Sequence, residues 1–290
     1  MISACLICGP GDDPERAVAS VKPLVDEVVL VSSRTVAGAH FDHDCLCGCG
    51  SVAGDILDFS IARNESFRQA SGEWRTWLDT DDEIVGAPED LFSDPKERVL
   101  CPYDYAPKSR FYLPRLVSAG ESWRYPIHEM LSGGIEGVRC ESVLWRHRRT
   151  PEATRRSAER NFRLLTHHMT VHENIYRQDA RMWEFYGMAC LDLGKPIAAL
   201  GKLERAFLLS RWPDQRANIA LALARGLPQE LGLLDKVREW AWRAAAERPS
   251  WPQVWRTLAR IYPEDAPAFV AHARACAPCA TLIHVDPTEA

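Results

Sequence analysis

The 290-residue sequence has no run of apolar residues approaching the roughly 20 that a membrane-spanning helix needs. Its opening stretch, MISACLIC, lacks the positively charged region of a secretory signal, and its apolar run breaks at Gly9 and Pro10. The net charge of −5 provides no overall attraction to nucleic acid or to an anionic membrane. We therefore expect a cytoplasmic globular protein without membrane contacts.

The ten cysteines are expected to be thiols, because a reducing cytoplasm disfavours disulfides. Their densest group, Cys45, Cys47 and Cys49, follows closely on His40 and His43. Cysteine and histidine are the usual ligands of structural zinc, so this group is a candidate zinc site. The alternative is a loop of small residues, and the sequence leaves both interpretations open.

Short apolar runs alternate with helical stretches from the N-terminus to about residue 145. SACLI, EVVLVSS and EWRTWLD are predicted strands, because they are short, apolar and rich in β-branched or aromatic residues. A segment starting near Pro14 and another over 58–72 have the apolar spacing of helices. This alternation predicts an α/β domain over 1–150 with a mainly parallel sheet. In such sheets ligands bind beyond the carboxyl ends of the strands.

The sequence after Thr150 has no strand pattern and is predicted to be helical. The segment RMWEFYGMACLDLGKPIAALGKLERAFLLS resembles a tetratricopeptide repeat, with Trp183, Gly187, Ala199 and Leu203 at the expected mutual spacings. A weaker copy covers 214–249, and a third begins at WPQVWRTLARIY. A single helix pair cannot bury its apolar face alone, so we expect stacked pairs over 151–275 with the tryptophans in the core. Residues 276–290 are expected to form a tail.

The stretch EWRTWLDTDDEI, residues 73–84, places three aspartates and a glutamate directly after a predicted buried strand. Crowded carboxylates raise each other's pKa, and a divalent cation relieves that repulsion. Mn²⁺ or Mg²⁺, bound by one or two carboxylates together with substrate phosphates, is consistent with this pattern. The alternative is a solvated acidic turn that caps the next helix, because D-T-D alone is a weak motif.

Several further motifs occur in order around this turn: SVKPLVDEVVLV, ARN at 62–64, SGEW at 71–74, WLDTDDE at 77–83, YPIHEML and LWRHRRTPEATRRSAERNFRLL. With them the sequence resembles a family 2 glycosyltransferase of the GT-A fold, in the branch that carries tetratricopeptide repeats behind the catalytic domain. The resemblance covers about residues 2–275. It implies a Rossmann-like, mainly parallel sheet and an inverting, metal-dependent transfer of a sugar from a nucleotide-sugar donor.

The resemblance also implies roles for residues at the donor and its metal. Asp79 and Asp81 match the DxD pair, with Asp79 near the ribose or a metal-bound water and Asp81 a direct metal ligand. His147 matches a residue that completes the metal shell from the C-terminal side of the sheet. Arg63 and Asn64, in the ARN motif, match positions at the donor, where Arg63 would contact its phosphates. The implied cofactors are Mn²⁺ or Mg²⁺ and a nucleotide-sugar, with a UDP-sugar favoured.

At the acceptor side, the resemblance implies that His128 or Glu129 deprotonates the nucleophile, since an inverting transfer needs a base there. Glu129 is favoured as the base, and His128 would then orient substrate or bind metal. The nucleoside side departs from the family pattern. CGPGDD stands where lysine-asparagine-glutamate is usual, and Ser32, in VSSRTVAG, stands near a usual aspartate that contacts the nucleotide. The identity of the donor nucleotide is therefore open.

Several acceptors and one non-enzymatic function remain as alternatives. The repeats would present a peptide or protein acceptor, or form a homodimer, since stacked helical repeats make concave binding surfaces. The segment from Arg146 to Arg181 has nine arginines against four acids, and its arginines would hold the phosphates of a nucleic acid that carries a modified base. A solvated helix face is the simpler interpretation of that segment. Outside the enzymes, the alternative is a non-catalytic repeat protein with a relic GT-A domain.

Overall fold

A computed structural model describes residues 1–9, 11–32, 56–86, 95, 97–106, 109–148, 151–228 and 232–276. Within them the chain divides into two compact units, Met1–Thr154 and Arg155–Ala290. No helix of the described residues is long and apolar enough to cross a membrane. The candidate zinc site lies outside the described residues, at His40, His43, Cys45, Cys47 and Cys49.

The described part of the N-terminal unit is built from β-strands, with two α-helices near its start. The elements are β1 (Ile2–Cys8), α1 (Glu15–Val21), a 3₁₀ turn (Lys22–Leu24), β2 (Glu27–Ser32), α2 (Phe59–Gln69), β3 (Trp74–Leu78), β4 (Asp82–Gly86), β5 (Val99–Ala106), β6 (Ser109–Ser118), β7 (Trp123–Arg124), β8 (Met130–Leu131), β9 (Val138–Arg139) and β10 (Val143–His147). The three predicted strands are confirmed as β1, β2 and β3.

The main sheet has the strand order β2-β1-β3-β6-β5-β10-β4, and β9 also pairs with β5. β1 is parallel to β2 and β3, whereas β6 is antiparallel to β3 and β5. β10 is parallel to β5 and antiparallel to β4. It follows that β1, β2, β3, β5 and β10 all run in one direction and that their carboxyl ends meet at one edge of the sheet. β4 and β6 begin at that same edge.

The mostly parallel α/β sheet expected from the sequence is confirmed, with two antiparallel strands that the pattern did not reveal. One of them, β4, directly follows the acidic turn. The alternative interpretation of that turn expected a helix there and is wrong on this point. In β4, Asp82 and Ile84 are buried while Glu83 and Val85 are half-buried, which is the alternation of a strand.

The sheet is buried on both faces, and β1 shows this along its length. Cys5 and Ile7 point into a core cluster that also contains Phe67 of α2. Ala4 and Leu6 point into a second cluster, which contains Val21 of α1. Because successive residues of a strand face opposite sides, the two helices cover opposite faces of the sheet.

From residue 151 onward the described chain is helical, as expected. Its helices are α3 (Pro151–Val171), α4 (Glu173–Tyr176), α5 (Ala180–Asp192), α6 (Pro196–Leu209), α7 (Pro213–Gly226), α8 (Leu234–Glu247), α9 (Pro252–Ile261) and α10 (Ala266–Ala275). α5 packs with α6, α7 with α8 and α9 with α10, and consecutive pairs contact each other. The second unit therefore contains three stacked helix pairs.

Small residues allow these helices to approach closely. A Cβ added at Gly187 of α5 would lie 2.4 Å from the Leu203 side chain of α6. The expected tryptophan core is only partly found. Trp251 is fully buried, but Trp212 and Trp242 are 42% and 45% exposed, so the prediction is wrong for these two. Helical spacing shows which residues share a face, but it does not show whether a neighbouring helix covers that face.

Candidate functional site

Helix α2 brings Arg63 to the carboxyl end of β3. The helix starts at Asp58, whose carboxylate accepts a hydrogen bond from the Ile61 amide at 3.1 Å as an N-cap. Arg63 lies in the following turn and is 6% exposed. Its Nη2 donates to Asp79 Oδ1 and its Nε donates to Glu129 Oε1, both at 2.5 Å. One buried guanidinium thus joins the acidic turn to the predicted acceptor-side glutamate.

The guanidinium of Arg63 lies against two indole rings that also contact each other. Its guanidinium carbon lies 4.8 Å from the centre of the Trp77 ring and 5.1 Å from that of Trp123. Although burial alone would lower the pKa of Arg63, the carboxylates of Asp79 and Glu129 raise it. Burial would likewise raise the pKa of Asp79, but the charge of Arg63 lowers it. Arg63 and Asp79 are therefore both ionised at neutral pH.

Asn64 supports the site instead of facing it. Its Nδ2 donates to the carbonyl of Trp123 at 3.0 Å, and its Oδ1 accepts from the Trp123 amide at 2.7 Å. Both polar atoms of the side chain are used in attaching β7 to α2. Asn64 thereby positions the indole that covers Arg63. Its predicted contact with the donor stays a prediction.

The connection between β7 and β8 carries the predicted His-Glu pair. Tyr125 and His128 have left-handed backbone conformations, with φ of 73° and 50°, which side-chain-bearing residues rarely adopt. The Pro126 carbonyl accepts a hydrogen bond from the Phe59 amide at 2.9 Å, so the connection is tied to the start of α2. Such strain costs on the order of 1–3 kcal/mol per residue and clusters where functional groups must be aimed. His128 is exposed, whereas the Glu129 side chain is 12% exposed.

The protein encloses the Asp82 carboxylate completely, at 0% exposure. Its Oδ2 accepts from the Asp79 amide at 3.2 Å and from Arg115 Nη2 at 3.4 Å. Its Oδ1 accepts from the Tyr103 hydroxyl at 3.0 Å and lies 3.1 Å from Nδ1 of His147. A carboxylate has about four acceptor positions, so these contacts fill them. Asp82 therefore anchors the turn and orients the histidine.

Arg115, in the middle of β6, is the cation that compensates Asp82, and it is also fully buried. Its guanidinium carbon lies 3.8 Å from the centre of the Trp77 ring and 4.6 Å from that of Tyr103. Its Nη1 donates to the Trp77 carbonyl at 3.1 Å. Sequence reasoning missed Arg115. The available signal was a lone charged residue inside the apolar run FYLPRLV, because a charge in a strand covered on both faces requires a buried partner.

His147, the last residue of β10, completes the cluster. Its Nδ1 lies 3.5 Å from Asp81 Oδ1, and its ring stacks on Tyr105 at 5.3 Å between centres. Burial lowers the pKa of His147, but the hydrogen bond to Asp82 and the charges of Asp81, Asp82 and Asp79 outweigh it and raise the pKa. A proton on this ring therefore holds the two carboxylates together when no cation is bound.

Asp81, Asp82 and His147 each offer one ligand atom, and these atoms all lie within 4.8 Å of one another. Among the described residues, no other group of three or more His, Cys, Asp or Glu side chains meets this criterion. Carboxylate oxygen with imidazole nitrogen suits Mn²⁺, and the carboxylates also suit Mg²⁺. Asp81 is 37% exposed, so it is the carboxylate open to solvent. The residues fit a divalent cation held by Asp81 and His147, with Asp82 behind them.

The structure distributes the other predicted ligands differently. Asp79, expected as a metal ligand, points one oxygen at Arg63. Ser32 is the last residue of β2 and lies opposite Cys8 in the parallel register, so it stands at the same edge of the sheet. The chain that follows it, 33–55, is outside the described residues. The predicted contact of Ser32 with the nucleotide stays a prediction.

No protein-family model matches this chain, and no curated protein matches it. Among solved structures, it is similar to a chain described as MamA MSR-1 C2, with a TM-score of 0.35 and 18% sequence identity. That match covers 41% of this chain and 67% of the other. A similarity of this size supports no argument about fold or function, so the interpretation of the site rests on its own geometry.

Proposed function

We propose that the protein is a metal-dependent glycosyltransferase with a GT-A-type N-terminal domain, which transfers a sugar from a nucleotide-diphospho-sugar to an acceptor with inversion. The observation that carries this proposal is the cluster of Asp81, Asp82 and His147 at the carboxyl edge of the sheet. That edge is where α/β sheets bind ligands. A cation centre beside a buried arginine suits the diphosphate of such a donor.

The charges of the site support a donor that binds together with its cation. Four carboxylates and two guanidiniums surround the centre, which gives a net charge of −2 when the imidazole is neutral. They belong to Asp79, Asp81, Asp82, Glu129, Arg63 and Arg115. The site stays negative even when the imidazole is protonated, so without a cation it repels a diphosphate. A divalent cation that takes the place of that proton cancels the charge of −2. We therefore expect donor binding to require the cation.

Each group then has a distinct task. Asp81 and His147 would hold the cation, which stabilises the negative charge that develops on the departing nucleoside diphosphate. Asp82 orients His147 through its contact with Nδ1, and Arg115 places a guanidinium beside Asp82 inside the protein. Arg63 sets the distance between the acidic turn and the β7–β8 connection.

For the base that deprotonates the acceptor, the geometry favours His128 over Glu129. The Glu129 carboxylate is largely buried, and its Oε1 already accepts a hydrogen bond from Arg63 Nε, so this oxygen is occupied. His128 is the next residue along the chain, is exposed, and has a left-handed backbone conformation. In this proposal Glu129 positions the segment and His128 accepts the proton.

For the acceptor, the three stacked helix pairs support a peptide or protein side chain, with the pairs acting as tetratricopeptide-like repeats. A UDP-sugar is the proposed donor. The nucleic-acid alternative is weaker, because the arginine-rich helix α3 also contains acids, and its Arg155 pairs with Glu159 at 3.3 Å. Mass spectrometry of peptide and single-stranded DNA acceptors, incubated with Mn²⁺ and a nucleotide-sugar pool, distinguishes them by where a hexose-sized mass appears.

The proposal is tested with a panel of nucleotide-sugars and Mn²⁺, measuring both nucleotide binding and release of the nucleoside diphosphate. We expect Asp81→Ala to lose Mn²⁺-dependent nucleotide binding together with turnover. His128→Ala should still bind the nucleotide while its turnover falls about 10²–10⁴-fold, the usual contribution of a general base. Asp235→Ala is the control, because its side chain is 97% exposed on α8. If wild-type protein binds no nucleotide in the presence of Mn²⁺, the proposal is wrong.

A second candidate is a protein that binds a nucleotide-sugar without transferring the sugar. The ion pair between Arg63 and Glu129 favours it, because this pair occupies the carboxylate that was favoured as the base. It predicts the same Mn²⁺-dependent binding and the same effect of Asp81→Ala. It differs in predicting no turnover with any acceptor, in the wild type as in His128→Ala.

A further inference from the structure

Two cysteines occupy neighbouring positions on adjacent parallel strands. Cys101 lies on β5 and Cys140 follows directly after β9. These strands pair with Leu100 opposite Arg139, so the next step along both strands brings Cys101 opposite Cys140. The Cys140 amide continues the ladder by donating to the Leu100 carbonyl at 2.9 Å.

The ladder ends at this point for a chemical reason. In a parallel ladder the next hydrogen bond would run from the amide of residue 102 to the Cys140 carbonyl, and Pro102 has no N–H to donate. The two cysteines nevertheless remain side by side, and both pack in the same core cluster. Neighbouring strands lie about 4.8 Å apart, within the roughly 4.4–6.8 Å Cα separation that a disulfide spans.

The two thiols differ in their exposure to solvent. Both are reduced in the structure, with Cys101 buried and Cys140 half-buried. The Cys140 sulfur lies 3.1 Å from the Ser142 hydroxyl, which can donate a hydrogen bond to a thiolate. Burial, and secondarily the neighbouring Cys140, raise the pKa of Cys101 above its ordinary range. A reagent therefore reaches Cys140 first, and Cys101 is placed to react with what forms there.

We propose that Cys101 and Cys140 are a modification site at which a small-molecule disulfide introduces a reversible cross-link. The Cys140 thiolate attacks one sulfur of the reagent, forming a mixed disulfide and releasing one thiol. Cys101 then loses its proton and attacks the Cys140 sulfur, which releases the second thiol. The reagent is reduced to two thiols, and the two cysteines are oxidised with the loss of two hydrogens.

The cross-link would close the segment from 101 to 140, which carries much of the candidate site. That segment contains Tyr103, Arg115 and Glu129. Closing a loop of about 40 residues restricts the unfolded chain, so the oxidised protein should have a higher melting temperature than the reduced protein. The proposal is independent of the proposed function, because it concerns only the two thiols.

The full-length protein is incubated with glutathione disulfide, alkylated, and digested with trypsin without reduction. Peptides 99–108 and 140–146 each contain one cysteine, so mass spectrometry identifies their cross-link directly. We expect this linked pair to be the main oxidised product, and to disappear when reductant is added. Cys8→Ser, which removes another half-buried thiol, should leave it unchanged, and Cys140→Ser should abolish it.

The melting temperature provides a second measurement on the same samples. Oxidation should raise it for the wild type and for Cys8→Ser, and not for Cys140→Ser. The proposal is overturned if Cys140 accumulates only as the mixed disulfide with glutathione while Cys101 remains a thiol. It is also overturned if the two peptides are linked only after the protein is unfolded in urea.

Discussion

Replacing Arg115 with methionine keeps the apolar length of the side chain but removes the guanidinium from the buried carboxylate of Asp82, whose remaining charged partner is the His147 imidazole. The side chains of Arg115 and Asp82 are both 0% exposed. Removing one partner of a buried ion pair typically costs about 3–5 kcal/mol, because the remaining charge is uncompensated. The stacking of the guanidinium on Trp77 at 3.8 Å is lost as well. We expect a loss of about 4 kcal/mol, a large fraction of the roughly 5–15 kcal/mol that keeps a domain folded.

The double variant Arg115→Met with Asp82→Asn shows whether the lost stability comes from the charge on Asp82. In Arg115→Met the cost comes from the charge on Asp82, so adding Asp82→Asn should recover about half of it. Arg148→Met is the matched control. Its ion pair with Glu83 is solvent-accessible, with side chains 45% and 28% exposed, and exposed pairs contribute about 0–1 kcal/mol.

Hydrogen exchange followed by mass spectrometry measures the loss of stability in the N-terminal unit alone. A global unfolding curve would combine the stabilities of both units. A loss of about 4 kcal/mol corresponds to roughly 10³-fold faster exchange of the most protected amides of β3, β5 and β6. The reasoning is refuted if Arg115→Met changes that exchange less than tenfold. It is also refuted if Asp82→Asn makes the Arg115→Met protein less stable instead of more stable.

Two further predictions concern the helix pairs and the histidine. Gly187→Ala should destabilise the helical unit by about 1–3 kcal/mol in urea unfolding, because the added Cβ would lie 2.4 Å from Leu203. Gly201→Ala, whose Cβ would have nothing within 4 Å, should instead stabilise the unit by up to about 1 kcal/mol. Equal effects of the two substitutions would contradict the packing argument. Without divalent cations, the raised pKa of His147 means that its charged form stabilises the folded protein. This contribution is complete below about pH 6.5 and is lost as the pH rises through the raised value. Over that pH range the urea midpoint of the wild type should fall relative to that of His147→Gln. If the midpoints of the two proteins change with pH in parallel, the charged form of His147 does not stabilise the fold.

The strands that the sequence predicted have short, continuous apolar runs. In the strands that were missed, proline or charged residues interrupt the apolar runs. β5 and β6 contain Pro102 and Pro114, and β6 contains Arg115 in its centre. Proline and charge are both depleted in central strands, so the pattern there argues against a strand. In the structure, Asp82 compensates the charge of Arg115. This compensation comes from a distant segment and cannot be seen in a local window.

The acidic turn was identified from sequence because its position after a strand is a local property. Its partners were less accessible to such reasoning. That Tyr103 and Arg115 reach Asp82 depends on the strand order β3-β6-β5-β10-β4, in which two antiparallel strands bring distant segments together. Likewise, the ion pair of Arg63 with Glu129 depends on how the β7–β8 connection attaches to α2. Spacing along the chain carries no information on either contact.

The central claim is that Asp81 and His147 hold a divalent cation on which a nucleoside diphosphate binds. It is tested most directly by titrating Mn²⁺ into the full-length protein and following the electron paramagnetic resonance signal of the free ion, with and without UDP. The account predicts a single bound Mn²⁺ whose affinity rises when UDP is present, lost in Asp81→Ala and in His147→Ala and retained in Asp235→Ala. Binding of Mn²⁺ that is equal in wild type and Asp81→Ala, or that UDP does not strengthen, would contradict it.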